Sequence, residues 1–177
     1  MPTRTYLGTD LTPREYYRLH HKGYNNPHSP GIRYVLNKLM HYLSGTVLDL
    51  GCGNGLASLI LWSYAGDIIG VDSEQAMIDR YHDETNRSGV VQEYWDELPR
   101  AKSAIFCYSL HLCEESRVAQ VGYRLIEAGI TKVIVISPLK ARREDWANFE
   151  LVEETADKVG PNHKTVYGRV YAYIAPK

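Results

Sequence analysis

Phenylalanine is nearly missing from this chain: there are two, against fourteen tyrosines. Tyrosine puts a polar tip on each ring, which suits a wet cleft or surface; a bias of composition alone would look the same. Cysteine is scarce as well. Cys52, Cys107 and Cys113 make an odd count with no C-x-x-C pair. That pattern offers no disulfide framework and no zinc site, so the expectation is reduced thiols in a cytoplasmic protein without a metal. No apolar run approaches the ~20 residues of a membrane helix. The start, Met1-Pro2-Thr3-Arg4-Thr5, carries no apolar leader core. Neither sign of charge prevails. The formal net charge is -1, so no global positive field gathers nucleic acid.

What is present is enough for one core. The chain has 177 residues, 44% of them apolar, the size of a single domain. Thr12-Pro13-Arg14-Glu15 predicts a capped helix start, with the helix running to about Gly23. A loop, Tyr24 to His28, precedes a second helix from Ser29 whose apolar set is Ile32, Val35, Leu36, Leu39, Met40 and Leu43. Strands are then predicted at Thr46 to Leu50, Ile68 to Val71, Val90 to Tyr94, Ala104 to Tyr108 and Lys132 to Ile136. Helices alternate with them, marked by Leu56, Leu59 and Ile60, by Met77, Ile78 and Tyr81, and by Val118, Val121 and Leu125. Such alternation implies a doubly wound α/β sheet, which binds ligands outside the carboxyl ends of its strands. The final stretches, Phe149 to Thr155 and Thr165 to Ile174, alternate with period two and predict an antiparallel pair at a sheet edge, joined through Gly160-Pro161-Asn162.

The densest signal is Val47-Leu48-Asp49-Leu50-Gly51-Cys52-Gly53-Asn54-Gly55. A buried strand runs into a turn whose glycines let the backbone approach a ligand. About twenty residues on, Ile68-Ile69-Gly70-Val71 ends in Asp72. A carboxylate there can accept hydrogen bonds from both hydroxyls of a ribose. A dinucleotide fold wants G-x-G-x-x-G, with a pyrophosphate on the helix N-terminus. Here the third glycine comes one residue early, at Gly55, and Asp49 precedes the first. A carboxylate at 49 would repel a pyrophosphate and suit a ligand carrying positive charge. Spacing and charge therefore favour S-adenosylmethionine (SAM) over a nicotinamide dinucleotide.

Val47 to Gly55 resembles the first motif of class I SAM-dependent methyltransferases, and Gly70-Val71-Asp72-Ser73 resembles their second. The terminal pair of strands is similar to the family's reversed last strand, so the likeness spans roughly residues 46–175. It implies a mostly parallel seven-stranded Rossmann-like sheet ending in an antiparallel hairpin. It implies a core at 46–177 and an N-terminal helical lid at 1–45. Asp49, Gly51, Cys52 and Gly53 would face the methionine half of SAM, with Asn54 and Gly55 finishing the turn. Asp72 would hold the ribose and Ser73 would lie beside the adenine. The family's acidic residue after the third strand is replaced by Tyr94, followed by Trp95 and Asp96; Trp95 would either stack on the base or pack in the core. Ser109-Leu110-His111-Leu112-Cys113 leaves the fourth strand where the family lines its acceptor pocket, so Ser109 is a cofactor contact and His111 a candidate general base. In the lid, Tyr16, Tyr17 and Tyr24 are candidates to cover the cofactor. Arg33 could pair with its carboxylate.

The acceptor is narrowed by what the sequence omits. The fourth strand lacks the Asn/Asp-Pro-Pro-Tyr/Phe motif of exocyclic-amine methylation, and no Pro-Cys nucleophile is present for cytosine C5. The insertion before the last two strands is only Leu139 to Asn148. Its Lys140, Arg142, Arg143 and Trp146 would either meet an anion or form a solvated surface. A compact chain without a basic track fits a small-molecule acceptor. The alternatives are an RNA or protein methyltransferase of the same fold, with or without a partner subunit, and a SAM-binding protein without catalysis.

Overall fold

The computed structural model describes residues 29–62, 64–142, 144–158 and 165–176. The helix expected from Thr12, the Tyr24 loop and the Gly160 turn lie outside them. Seven strands form one sheet: β1 (Thr46–Leu50), β2 (Asp67–Asp72), β3 (Gly89–Val91), β4 (Ser103–Cys107), β5 (Lys132–Ser137), β6 (Phe149–Asp157) and β7 (Val166–Tyr173). Their order is β3-β2-β1-β4-β5-β7-β6. The first five are parallel, and β7 runs antiparallel between β5 and β6. The expected fold class is borne out. One refinement concerns β7, which is buried on both faces, so that of the final pair only β6 lies at a sheet edge.

The strand period of two divides the side chains between two layers. Leu48, Leu50, Ala104, Phe106, Val133 and Val135 face a core closed by Val118, Val121 and Leu125 of α4 (Glu115–Glu127). Val47, Ile105, Ile134 and Ile136 face the opposite core, closed by α1 (Ser29–Leu39) and α2 (Leu56–Ile60). The remaining helix, α3 (Gln75–Thr85), packs on β2 and β3. Asp49 shares the α1–α2 side with Val47, two residues away along β1, which sets it facing α2.

The described part of the N-terminal segment packs on the sheet. Ile32, Val35, Leu36 and Leu39 of α1 are completely buried on the sheet, each stabilising that packing by about 1.5–3 kcal/mol relative to exposure. Gly168 of β7 makes the approach possible: a Cβ there would sit 2.3 Å from Val35 Cγ1. So α1 belongs to the core layer. It ends at Leu39, where the predicted longer helix tightens into a 3-10 turn at Met40–Tyr42. Two smaller differences follow from packing. The five-residue α2 presents only one side to the core, leaving Leu59 41% exposed. The third strand stops at Val91, and after Gln92 donates its N–H to the Asp72 carbonyl the chain leaves the sheet, carrying Tyr94 out of the ladder.

The β5–β6 connection is built around a buried cation. Arg169 is 1% exposed and pairs with Glu144 at 3.3 Å and Glu154 at 2.6 Å. Its Nη2 also donates to the carbonyls of Leu139 and Lys140, and Tyr171 donates to Glu144. Trp146 does not reach a surface or a ligand. It is 5% exposed, with Nε1 donating to the Val118 carbonyl and its ring against Gly122, where any side chain would collide.

Candidate active site

The β1 exit turns because its backbone is anchored from both neighbouring strands. The N–H groups of Gly51 and Cys52 both donate to the Val71 carbonyl, at 2.7 and 3.0 Å. Gly51 has φ +72°, and a Cβ there would lie 2.4 Å from the Cβ of Ser109. Ser109 Oγ in turn donates to the Leu50 carbonyl at 2.6 Å. Gly55 closes the turn at φ +85°, against Thr85 and Tyr81 of α3. Both φ values lie in the left-handed region, where glycine is unstrained and other residues are not.

This turn forms one wall of a cleft of about 500 Å³ at the carboxyl ends of β1, β2 and β4. Asp72 closes one side. Its two oxygens accept the N–H groups of Gly53 and Glu74, each at 3.1 Å, while burial pushes its pKa up against those hydrogen bonds. Asp49 lies at the base and is 1% exposed. Oδ2 accepts from Ser58 Oγ at 2.7 Å, whereas Oδ1 is buried with no hydrogen-bond partner among the described residues. Burial raises its pKa to about 6, opposed by the Ser58 hydrogen bonds and reinforced by the Asp72 charge.

Beyond the carboxylates, the walls are aromatic. Tyr94 reaches from the β3 exit to donate to the Ser109 carbonyl at 3.2 Å, and it meets Trp95 and Phe106 edge-on. The Trp95 carbonyl accepts from Gln120 and Arg124 of α4, which pins this segment to the helix. Trp95 lines the cleft and packs against the core. Tyr108 holds φ +56°, a conformation costing a non-glycine residue about 1–3 kcal/mol. It too lines the cleft.

Of the residues singled out from the sequence, Asp49, Gly51, Cys52, Gly53, Asn54, Asp72, Ser73, Tyr94, Trp95 and Ser109 come together on this one cleft. Gly55 sits behind it as a packing residue. Arg33 is exposed on α1 and does not line it, because the apolar stripe of that helix faces the sheet. Tyr24 is outside the described residues. His111 is not on the cleft wall either; its ring contacts Tyr108, centroids 5.9 Å apart.

Sequence reasoning missed Ser58 and Tyr81, which join Asp49 in one buried network, and the cleft residues Glu74, Glu93, Tyr108 and Glu114. Ser58 left a trace: it is a polar residue among Leu56, Ala57 and Ile60 on a short apolar helix. Tyr108 left none, since nothing in a residue's type announces a positive φ.

Comparisons with known proteins agree with this geometry. A family model described as "Methyltransferase domain" matches residues 47–128, the span from β1 to the end of α4. The Saccharomyces cerevisiae protein named "Probable S-adenosylmethionine-dependent methyltransferase CRG1" is 30% identical over 89 residues. That match spans 49% of this chain and 28% of the yeast protein. Among solved structures, the PH0226 protein of Pyrococcus horikoshii OT3 superposes with a TM-score of 0.64 at 22% identity, over 90% of this chain and 98% of that one. Magnesium protoporphyrin IX methyltransferase of Synechocystis PCC 6803, crystallised with bound SAH, gives 0.67 at 12% identity, over 89% and 92%. Both share the fold. The chain thus carries, over residues 47–128, a match to a methyltransferase domain on a seven-stranded sheet whose strand order and glycine turn fit that likeness.

Proposed function

We propose that this chain is an enzyme that transfers the methyl group of SAM to a small-molecule acceptor. The observation that carries the reading is the pair of carboxylates at the cleft: Asp49, with one buried oxygen lacking a partner among the described residues, and Asp72 at the end of β2. A ligand with a cationic end and a diol satisfies both, and SAM has an ammonium group and a ribose. Asp49 and the turn at Gly51–Gly53 would hold the methionine half, Asp72 the ribose, and Ser73, Tyr94 and Trp95 the adenine. When bound, SAM supplies a methyl carbon made electrophilic by the sulfonium.

The rest of the chemistry falls to positioning. Aligning an acceptor with that carbon replaces a bimolecular encounter by a fixed approach. Ser109, Tyr108 and Leu112 at the β4 exit are the residues placed to do so. The acceptor loses a proton as its new bond to carbon forms. His111, in contact with Tyr108, is the histidine of this exit.

Charge supports a small acceptor. Among the described residues, the cleft is lined by Asp49, Asp72, Glu74, Glu93 and Glu114, with no lysine, arginine or histidine. A polyanion would meet repulsion there and needs a basic track. The three cysteines stand as free thiols, which suits a reducing, cytoplasmic setting. No helix of the described residues is long and apolar enough to cross a membrane.

The test is calorimetry with SAM, followed by incubation with methyl-labelled SAM and fractionated cell extract. Binding that is lost in Asp72→Ala, with label in the low-molecular-weight fraction, is the expected result. Label in RNA or protein would overturn the acceptor class. Binding without transfer to any fraction would make this a SAM-binding protein without catalysis.

A further inference from the structure

Asp49 is held by more than its own strand. Ser58 on α2 is completely buried and donates its hydroxyl hydrogen to Asp49 Oδ2 at 2.7 Å. Its oxygen is 2.9 Å from the hydroxyl of Tyr81 on α3, a ring that is itself fully buried. A serine has one hydrogen to give. With that hydrogen committed to Asp49, the contact with Tyr81 must run from the tyrosine to the serine. The donors therefore line up in one direction, Tyr81 to Ser58 to Asp49. Each donation strengthens the next by polarising it.

The chain has a geometric consequence. It occupies Oδ2 and leaves Oδ1, buried and without a partner among the described residues, in a carboxylate that lines the cleft. Tyr81 is fixed in place by its surroundings. Its ring lies against Gly55 and Gly70, at distances that leave no room for a side chain at either, and its carbonyl accepts from Thr85 Oγ1 at 2.6 Å. We propose that Ser58 and Tyr81 are positioning residues for the cofactor's amino group: they hold Asp49 as an oriented acceptor whose free oxygen meets the ammonium of the methionine half. This rests on the SAM reading above. It adds two residues, on two helices, that reach the ligand only through Asp49.

The groups that feel Asp49 are Asp72 on β2, Cys52 in the turn, Cys107 on β4 and Tyr81 on α3. All are acidic or neutral, and Arg87 bears on Tyr81 from the far side. The Ser58 backbone N–H also donates to the Asp49 side chain, and among the described residues its side-chain donor is the Ser58 hydroxyl, backed by Tyr81. Without it, the charged form of Asp49 is disfavoured and its proton is held to higher pH.

The experiment compares three ligands by calorimetry across pH 5 to 8: SAM, S-adenosylhomocysteine, and 5′-methylthioadenosine, which lacks the amino acid portion. Ser58→Ala is expected to weaken SAM and S-adenosylhomocysteine by about tenfold at pH 7, the size of a charge-assisted hydrogen bond. It should leave 5′-methylthioadenosine within about twofold and move the pH midpoint of SAM binding upward. Tyr81→Phe should act in the same direction by about threefold, because its hydroxyl is one step removed. Equal weakening of all three ligands, or an unmoved pH midpoint, would overturn the proposal by reducing both residues to packing. Failure of the wild-type protein to bind SAM at any pH would instead sink the cofactor reading itself.

Discussion

Gly51 and Ser109 sit so close that a Cβ on the glycine would lie 2.4 Å from that of the serine. This contact welds the β1 exit to the β4 exit. Ser109 Oγ completes the weld by bonding the Leu50 carbonyl. The position therefore has two independent reasons to be glycine, its left-handed φ and its missing volume. Gly51→Ala should destabilise the fold by about 2 kcal/mol or more, combining backbone strain with overpacking. Denaturant unfolding would measure it. Unchanged stability would mean the two strands separate without penalty.

Asp49 predicts a pH dependence with a definite sign. Its folded pKa, about 6, is above that of an unfolded aspartate, near 3.9. Between those values the folded state binds more protons, so stability falls as pH rises from about 4 to about 6. The loss is on the order of 2–3 kcal/mol. Asp49→Asn should flatten that slope and raise ligand-free stability at pH 7 while weakening SAM. Thermal unfolding of both proteins across pH 4 to 8 gives the answer; parallel curves would refute it.

SAM binding should run the opposite way. Only ionised Asp49 attracts a cation, so affinity should climb as pH passes about 6 and level off by about pH 7.5. Calorimetry in buffers of different ionisation enthalpy would register the accompanying proton release near pH 6. A pH-independent affinity would remove Asp49 from ammonium recognition.

Arg169 and Glu144 form a buried ion pair, with Glu154 as a second partner of the guanidinium, so losing Arg169 takes the cation from beside the buried Glu144 carboxylate. Arg169→Met should cost about 3–5 kcal/mol. Arg169→Met combined with Glu144→Gln should recover part of that loss, since the stranded carboxylate is then gone. Urea unfolding distinguishes the two. Equal stability of the single and double variants would show that the charge is not what matters.

At the acceptor end, Tyr108 lines the cleft, while His111 lies off the cleft wall with its ring against Tyr108. His111→Ala should therefore lower methyl-transfer turnover by less than tenfold, well short of the ~10²–10⁴ attributed to a general base. A larger fall, with loss of a titration near neutral pH, would identify His111 as the base after all.

The order of elements, the glycine turn and Asp72 could be read directly because each rests on local physics. Periodicity of two or 3.6, a strand ending in a carboxylate and a turn lacking Cβ atoms are properties of short segments. Asp49 was legible for the same reason: its place before the first glycine sets its charge beside the turn. Trp146 and Arg33 were not. An aromatic among basic residues reads like a surface, and only the cavity beside Gly122 decides that Trp146 fills it. The Ser58–Tyr81 chain was equally hidden, because its members are 23 residues apart and meet only where α2 and α3 converge on Asp49. Sequence alone determined the fold class and the carboxylate pair, since those follow from the spacing of neighbours along the chain. Tertiary structure decided which oxygen of Asp49 stays open, where Tyr108 points its strain and which residues pack rather than bind. Those outcomes depend on contacts between segments far apart in the chain.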